Sequence, residues 1–128
     1  MSLFLIVEDN TLMRKTLAET LRGRFSDAAF REAVNGKEAL SFSEEARPDL
    51  ILMDIELPDA NGLDLTRRIK NRDPSIRVLV ISLYDGPEYR EAAAKNGADG
   101  FLSKRTASPE EIGRAVQSLV AGNPVKNQ

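Results

Sequence analysis

The chain has 128 residues, 41% hydrophobic and 30% charged, with a net charge of −2, which describes one globular domain able to bury a core without staples. It contains no cysteine and no histidine, so disulfides, thiolate chemistry, ordinary zinc sites and a histidine-based triad are excluded. The slightly acidic balance gives no basic surface for nucleic acid, and the apolar runs are too short to span a membrane. Met1-Ser2-Leu3 runs into a strand-like stretch unlike a signal peptide, so a cytoplasmic location is expected.

Along the chain, short apolar runs alternate with helical patterns. Leu3 to Val7 reads as the first strand. Asn10 then caps a helix whose inner face is expected to carry Leu12, Thr16, Leu17 and Leu21. Ala28 to Val34 is a weaker second strand, closed by the turn signal Asn35-Gly36, and a helix runs from Lys37 to about Glu45. Asp49 to Met53 is the third strand. Pro58, Asn61 and Gly62 form a loop, and a third helix turns Leu63, Thr66 and Ile69 inward. Ile76 to Ile81 is the fourth strand, and Pro87 opens a fourth helix with Tyr89, Ala92 and Ala93, ended by Asn96-Gly97. Gly100 to Leu102 belongs to a short fifth strand. Ser108, Pro109, Glu110 and Glu111 then start the clearest helix, with Ile112, Ala115, Val116, Leu119 and Val120 at helical spacing and Gly122 and Pro124 as its stop. Strands one, three and four are apolar nearly throughout, as suits strands buried on both faces of a parallel sheet. Five strand–helix units therefore predict a doubly wound α/β domain over 1–122, with 123–128 the start of a linker or tail.

In such sheets the site forms beyond the carboxyl ends of the strands. Strand one ends in Glu8-Asp9, strand three in Asp54, strand four in Ser82 and strand five near Lys104. Any one of these polar groups alone would read as a helix cap or a solvated side chain; together they converge on one rim. Three facing carboxylates repel, each pair by ~1 kcal/mol at 4 Å in water and ~4 kcal/mol at an effective dielectric of 20. With no histidine or thiol nearby, the ion that would relieve this is hard and oxygen-liking, Mg²⁺ or Mn²⁺. A dication, a lysine and a hydroxyl together match the charge spread over phosphoryl oxygens during transfer, which makes Asp54 the nucleophile of an acyl phosphate.

Glu8-Asp9, Asp54 followed by Leu57-Pro58 and Gly62, Ser82, and Gly97 to Lys104 resemble the response-regulator receiver domain of two-component signalling. The resemblance covers residues 3 to 121. It implies a CheY-like, flavodoxin-like fold: five parallel strands in order 2-1-3-4-5 flanked by five helices, two on one face and three on the other. It implies transfer of a phosphoryl group from a sensor histidine kinase to Asp54 with Mg²⁺, and no enzymatic activity beyond the domain's own phosphorylation and dephosphorylation. By position Asp9 would bind the metal directly, Glu8 directly or through water, and Glu56 through its backbone carbonyl. Ser82 and Lys104 would hold phosphoryl oxygens, Ser82 and Phe101 would form the switch, and Glu56 and Tyr84 would tune dephosphorylation. Ile81 to Asp85, Glu88-Tyr89 and Asn96 to Lys104 are most similar to receivers of NarL/LuxR-type transcription regulators. That likeness implies a C-terminal DNA-binding output domain in a longer chain and a homodimer on activation. The alternative is a stand-alone receiver acting through protein–protein contact.

The chain departs from the commoner family pattern in four places: Glu8 for Asp, Ser82 for Thr, Phe101 for Tyr, and Arg105 after Lys104 where many receivers have Pro. A Lys104–Arg105 bond without proline is expected to be trans, because the cis form costs ~2.5–4 kcal/mol before a residue other than proline. Three rival readings are weaker. A phosphate-independent receiver would have lost an acid or the lysine, a flavin or nucleotide binder would need a Gly-rich loop after strand one, and a phosphoesterase would need a second acid where Thr11 stands.

Overall fold

A computed structural model describes residues 2–122; Met1 and 123–128, with Pro124 and the expected linker, lie outside the described residues. In chain order the elements are β1 (Leu3–Val7), α1 (Thr11–Arg24), β2 (Ala29–Ala33), α2 (Gly36–Ala46), β3 (Leu50–Met53), α3 (Gly62–Arg72), β4 (Arg77–Ser82), α4 (Pro87–Lys95), β5 (Gly100–Ser103) and α5 (Pro109–Val120). The strands form one parallel sheet in the order β2-β1-β3-β4-β5, as expected.

Period-two alternation divides the apolar strands between two cores. Phe4, Ile6, Leu50, Leu52, Leu79, Ile81 and Leu102 face one side, where α1 supplies Leu17 and Leu21 and α5 supplies Ile112, Val116 and Leu119. Leu5, Val7, Ile51, Met53, Val78, Val80 and Phe101 face the other, covered by Ala39 of α2, Leu65 and Ile69 of α3 and Ala93 of α4. Each strand residue is thus committed to one layer or the other, and the two-against-three division of helices is the observed one.

The first helix differs from its expected pattern. Leu12 is 77% exposed and Thr16 is exposed as well. The buried stripe is Leu17, Ala18 and Leu21, and Met13 packs against it. Leu12 lies five positions before Leu17, which at 3.6 residues per turn puts it ~140° out of line, whereas Met13, Leu17 and Leu21 stand one above another. Val120 at the end of α5 is exposed too, one step beyond the buried Leu119. Asn35 is an N-cap, its side chain accepting from the Glu38 N–H at 2.8 Å, so α2 begins at Gly36. Asn61 likewise caps α3 by accepting from the Leu63 N–H at 2.7 Å. The Ser108–Glu111 capping box and the positive φ of 95° at Gly97 are where the sequence places them.

Two contacts fix the loop after β3. A Cβ at Gly62 would run into the Asp54 carbonyl, and the Gly62 N–H donates to the Ile55 carbonyl at 2.7 Å, so only glycine lets α3 start this close to the strand end. The Asp59 carboxylate accepts from the Gly36 and Lys37 N–H groups at 2.7 and 3.1 Å, which ties this loop to the start of α2.

Candidate functional site

The site residues extend the sheet's own hydrogen bonding. The Glu8 N–H donates to the Ala33 carbonyl, the Asp54 N–H to Val7 and the Lys104 N–H to Ser82, at 3.0, 3.2 and 2.9 Å. Four neighbouring strand ends therefore present their side chains from one rigid edge. Glu8, Asp9 and Asp54 each offer a carboxylate oxygen within 4.8 Å of the others. Glu8 is 1% exposed and Asp54 5%, while Asp9 is exposed at the rim. The Lys104 ammonium lies between the two buried acids, donating to Glu8 Oε1 and, at 3.0 Å, to Asp54 Oδ2. The Lys104–Arg105 peptide bond is trans, so the lysine reaches the carboxylates through its own flexible stem.

Charge governs this cluster. Three carboxylates and one ammonium leave two negative charges, the amount one divalent cation would neutralise. Burial pushes the Glu8 carboxyl above the ordinary range, and hydrogen bonds from Lys104 and the Asn10 N–H reverse only part of that. Burial also opposes the charge on Lys104, but the hydrogen bond to Glu8 and the field of Asp54 outweigh it and raise the ammonium's pKa. The two directions have different origins: loss of water around a carboxylate for Glu8, and acidic partners for Lys104. The donor set is all oxygen and fits a hard cation such as Mg²⁺.

Beside the acids opens a cavity of about 380 Å³ lined by Asp54, Glu56, Ser82, Leu83, Tyr84, Lys104 and Arg105. Ser82 is fully buried in its wall, with Oγ accepting from the Tyr84 N–H at 3.0 Å. The Tyr84 hydroxyl donates to Glu56 Oε2 at 2.6 Å, bridging the loops after β3 and β4, and that carboxylate raises the phenol's pKa. The Tyr84 ring also lies 5.3 Å from that of Tyr89 on α4. The structure thus gathers Glu8, Asp9, Asp54, Glu56, Ser82, Tyr84 and Lys104 in one place. Phe101 stands apart, in the core beneath α4. Its ring, expected from the family resemblance to form part of the switch, is turned inward, 1% exposed, with the Arg90 guanidinium 4.8 Å above it.

Two arginines near the site escaped the sequence reading. Arg14 of α1 donates to the Glu8 carbonyl at 2.9 Å and the Asp9 carbonyl at 3.5 Å while its Nε pairs with Glu32 at 3.0 Å, so it fixes the acidic turn from below. Its position one helical turn after the N-cap Asn10 was the only available signal. Arg105, noted in the sequence only as a missing proline, lines the cavity and pairs with Asp85 at 3.0 Å.

The family profile described as the response regulator receiver domain matches residues 4–117. The chain belongs to the response regulator receiver family. Among its relatives is the transcriptional activator protein ExaE of Pseudomonas putida, 39% identical over 119 residues that make up 93% of this chain and 55% of that protein. The chemotaxis protein CheY of Halobacterium salinarum is 36% identical, with 91% of this chain matched to 96% of that protein. Among solved structures, a LuxR-family two-component response regulator from Aurantimonas sp. SI85-9A1 superposes with a TM-score of 0.88 at 27% identity, covering 100% of this chain and 89% of the other. The receiver described here therefore spans about half the length of the transcription-regulator relative ExaE and nearly all of a CheY relative. Among the described residues no helix is long and apolar enough to cross a membrane.

Proposed function

We propose that this receiver is a phosphorylation-driven switch in which Asp54 accepts a phosphoryl group from a sensor histidine kinase. The observation that carries the reading is the juxtaposition of Glu8, Asp9 and Asp54 with Lys104, beside a cavity whose floor is Asp54, Ser82 and Lys104. Glu8, Asp9, Asp54 and the Glu56 carbonyl would hold Mg²⁺, which when bound supplies positive charge against the phosphoryl oxygens. Asp54 attacks phosphorus, the phosphorus–nitrogen bond of the phosphohistidine breaks, and the bonding pair leaves with the imidazole, which departs neutral once protonated. Lys104 shifts from its carboxylate partners to a phosphoryl oxygen, and the Ser82 hydroxyl turns from the Tyr84 N–H to another. These exchanges draw the β4–α4 loop toward Asp54. They bear on the balance between the inward Phe101 ring and an outward one, across the face formed by α4, β5 and α5. A shift from 1:99 to 99:1 needs ~5.5 kcal/mol of differential interaction, which a few charge-assisted hydrogen bonds of ~1.5–3 kcal/mol can supply.

The likeness to LuxR-type regulators supports a DNA-binding output domain in a longer protein and a cytoplasmic setting. The near full-length match to a CheY protein supports a stand-alone receiver that acts through protein contacts as the second reading. Incubation with acetyl phosphate and Mg²⁺ followed by intact mass tests the common core of both. The wild type gains one phosphoryl group and Asp54→Asn gains none; equal gain by both would remove Asp54 from its role.

A further inference from the structure

We propose that Arg105 sets the donor preference of this receiver, favouring acyl phosphates over phosphoramidates; the proposal rests on Asp54 being the phosphoryl acceptor. The cavity beside Asp54, about 380 Å³, is the size of a small-molecule site (~300–1,000 Å³) and exceeds the needs of a phosphoryl group alone. Its floor is Asp54, Ser82 and Lys104, all buried or nearly so; its mouth is made by the exposed Leu83, Tyr84 and Arg105. In-line transfer puts the attacking and leaving atoms on opposite sides of phosphorus. With Asp54 on the floor, the leaving group faces the mouth, where Arg105 stands.

Arg105 is 65% exposed but held in place. One amino group donates to Asp85 Oδ1 at 3.0 Å and to the Leu83 carbonyl at 3.4 Å, and Asp85 is itself fixed by the Ser103 hydroxyl at 2.6 Å. Among the described residues neither Nε nor the other amino group of Arg105 has a hydrogen-bond partner, which leaves donors for a ligand. Glu56, the acid at the same mouth, is engaged by the Tyr84 hydroxyl.

The two donor classes differ in the charge they leave at that position. When Asp54 attacks an acyl phosphate, the phosphorus–oxygen bond breaks and its electron pair stays on the departing carboxylate, which carries a negative charge. A guanidinium is suited to receive it. In a phosphoramidate the nitrogen is already protonated; the phosphorus–nitrogen pair returns to it and ammonia departs neutral. Arg105 therefore assists the first reaction and has no charge to meet in the second. Exposure and the neighbouring Asp85 keep the effect modest.

The test compares phosphorylation rates of the Mg²⁺-loaded protein with acetyl phosphate and with phosphoramidate, followed by intact mass, for the wild type, Arg105→Ala, Arg105→Gln and Arg105→Lys. Arg105→Ala and Arg105→Gln are expected to slow the acetyl phosphate reaction about three- to fivefold, the scale of an exposed ionic contact, with the phosphoramidate rate held. Arg105→Lys retains most of the preference, and molar salt shrinks it in the wild type. Equal change with both donors, or none with either, overturns the proposal. A wild type that takes a phosphoryl group from neither donor would instead defeat the reading of Asp54, and this inference with it.

Discussion

Lys104 is the residue on which the electrostatics of the site turn. It neutralises part of two buried carboxylates, so its loss leaves Glu8 and Asp54 facing each other without a cation. Lys104→Ala is expected to lower stability by ~1–3 kcal/mol in metal-free buffer, the cost of unpaired buried polar groups. Mg²⁺ should recover more stability in this variant than in the wild type, measured by urea denaturation with and without the ion. Equal response of both proteins to Mg²⁺ would show that the ion and the lysine do not share these acids. Tyr84 poses a separate question, because its ring stands at the cavity mouth and its hydroxyl holds Glu56. If the ring shields the acyl phosphate from water, Tyr84→Ala shortens the phosphoryl lifetime and Tyr84→Phe leaves it close to the wild-type value. A lifetime unchanged in Tyr84→Ala would assign the tyrosine to the surface alone.

At the scale of elements, helix starts carry much of the local information. Asn10, Asn35, Asn61 and Ser108 each accept from a backbone N–H in the first turn of the helix they cap. The start of α2 has a further partner from a distant loop, Asp59. The Gly36 N–H is the main cause of a lowered Asp59 pKa, with the Lys37 N–H adding to it. A carboxyl whose pKa is lower in the folded chain than in the unfolded one contributes stability above its ordinary value of 3.8, lost as pH falls through the folded value. Asp59→Asn is therefore expected to be less stable than the wild type at neutral pH and to converge with it in strong acid. Denaturation curves across that range check this; a constant difference at all pH values would mean that the charge plays no part.

For the whole molecule, the sheet carries the site residues on its strand ends, and the β4–α4 loop links them to the face beside it. That loop touches Asp54 through Tyr84 and Glu56, β5 through Asp85 and Ser103, and Phe101 through Arg90, which donates to the Asp85 carbonyl at 3.1 Å. A local charge at Asp54 thus has a physical route to the face made by α4 and β5. If the receiver serves a DNA-binding output domain as proposed, phosphorylation is expected to enhance a weak homodimer or monomer–dimer exchange, since a two-fold DNA site favours a dimer. Sedimentation velocity with and without a phosphoryl mimic measures it, and an unchanged monomer at high concentration would leave the switch without this output.

Alternation of apolar runs with capped helical patterns was enough to specify every strand and helix, because buried parallel strands and amphipathic helices impose opposite periodicities on the chain. The acids, Ser82 and the lysine were legible for a related reason: a polar or charged group at the end of a buried strand interrupts an apolar run, and four interruptions at equivalent places must share an edge. The inner face of α1 was read less well. Leu12 was placed on that face because it is apolar, although the helical period aligns Met13, not Leu12, with Leu17 and Leu21. The partners of the site could not be read at all. Arg14 beneath the acidic turn, Asp59 at the start of α2, and the Asp85–Arg105 pair at the cavity mouth join residues far apart in sequence or follow no period. Periodicity records which side of an element is buried, whereas the pairing of individual polar groups depends on distances that exist only once the elements have packed.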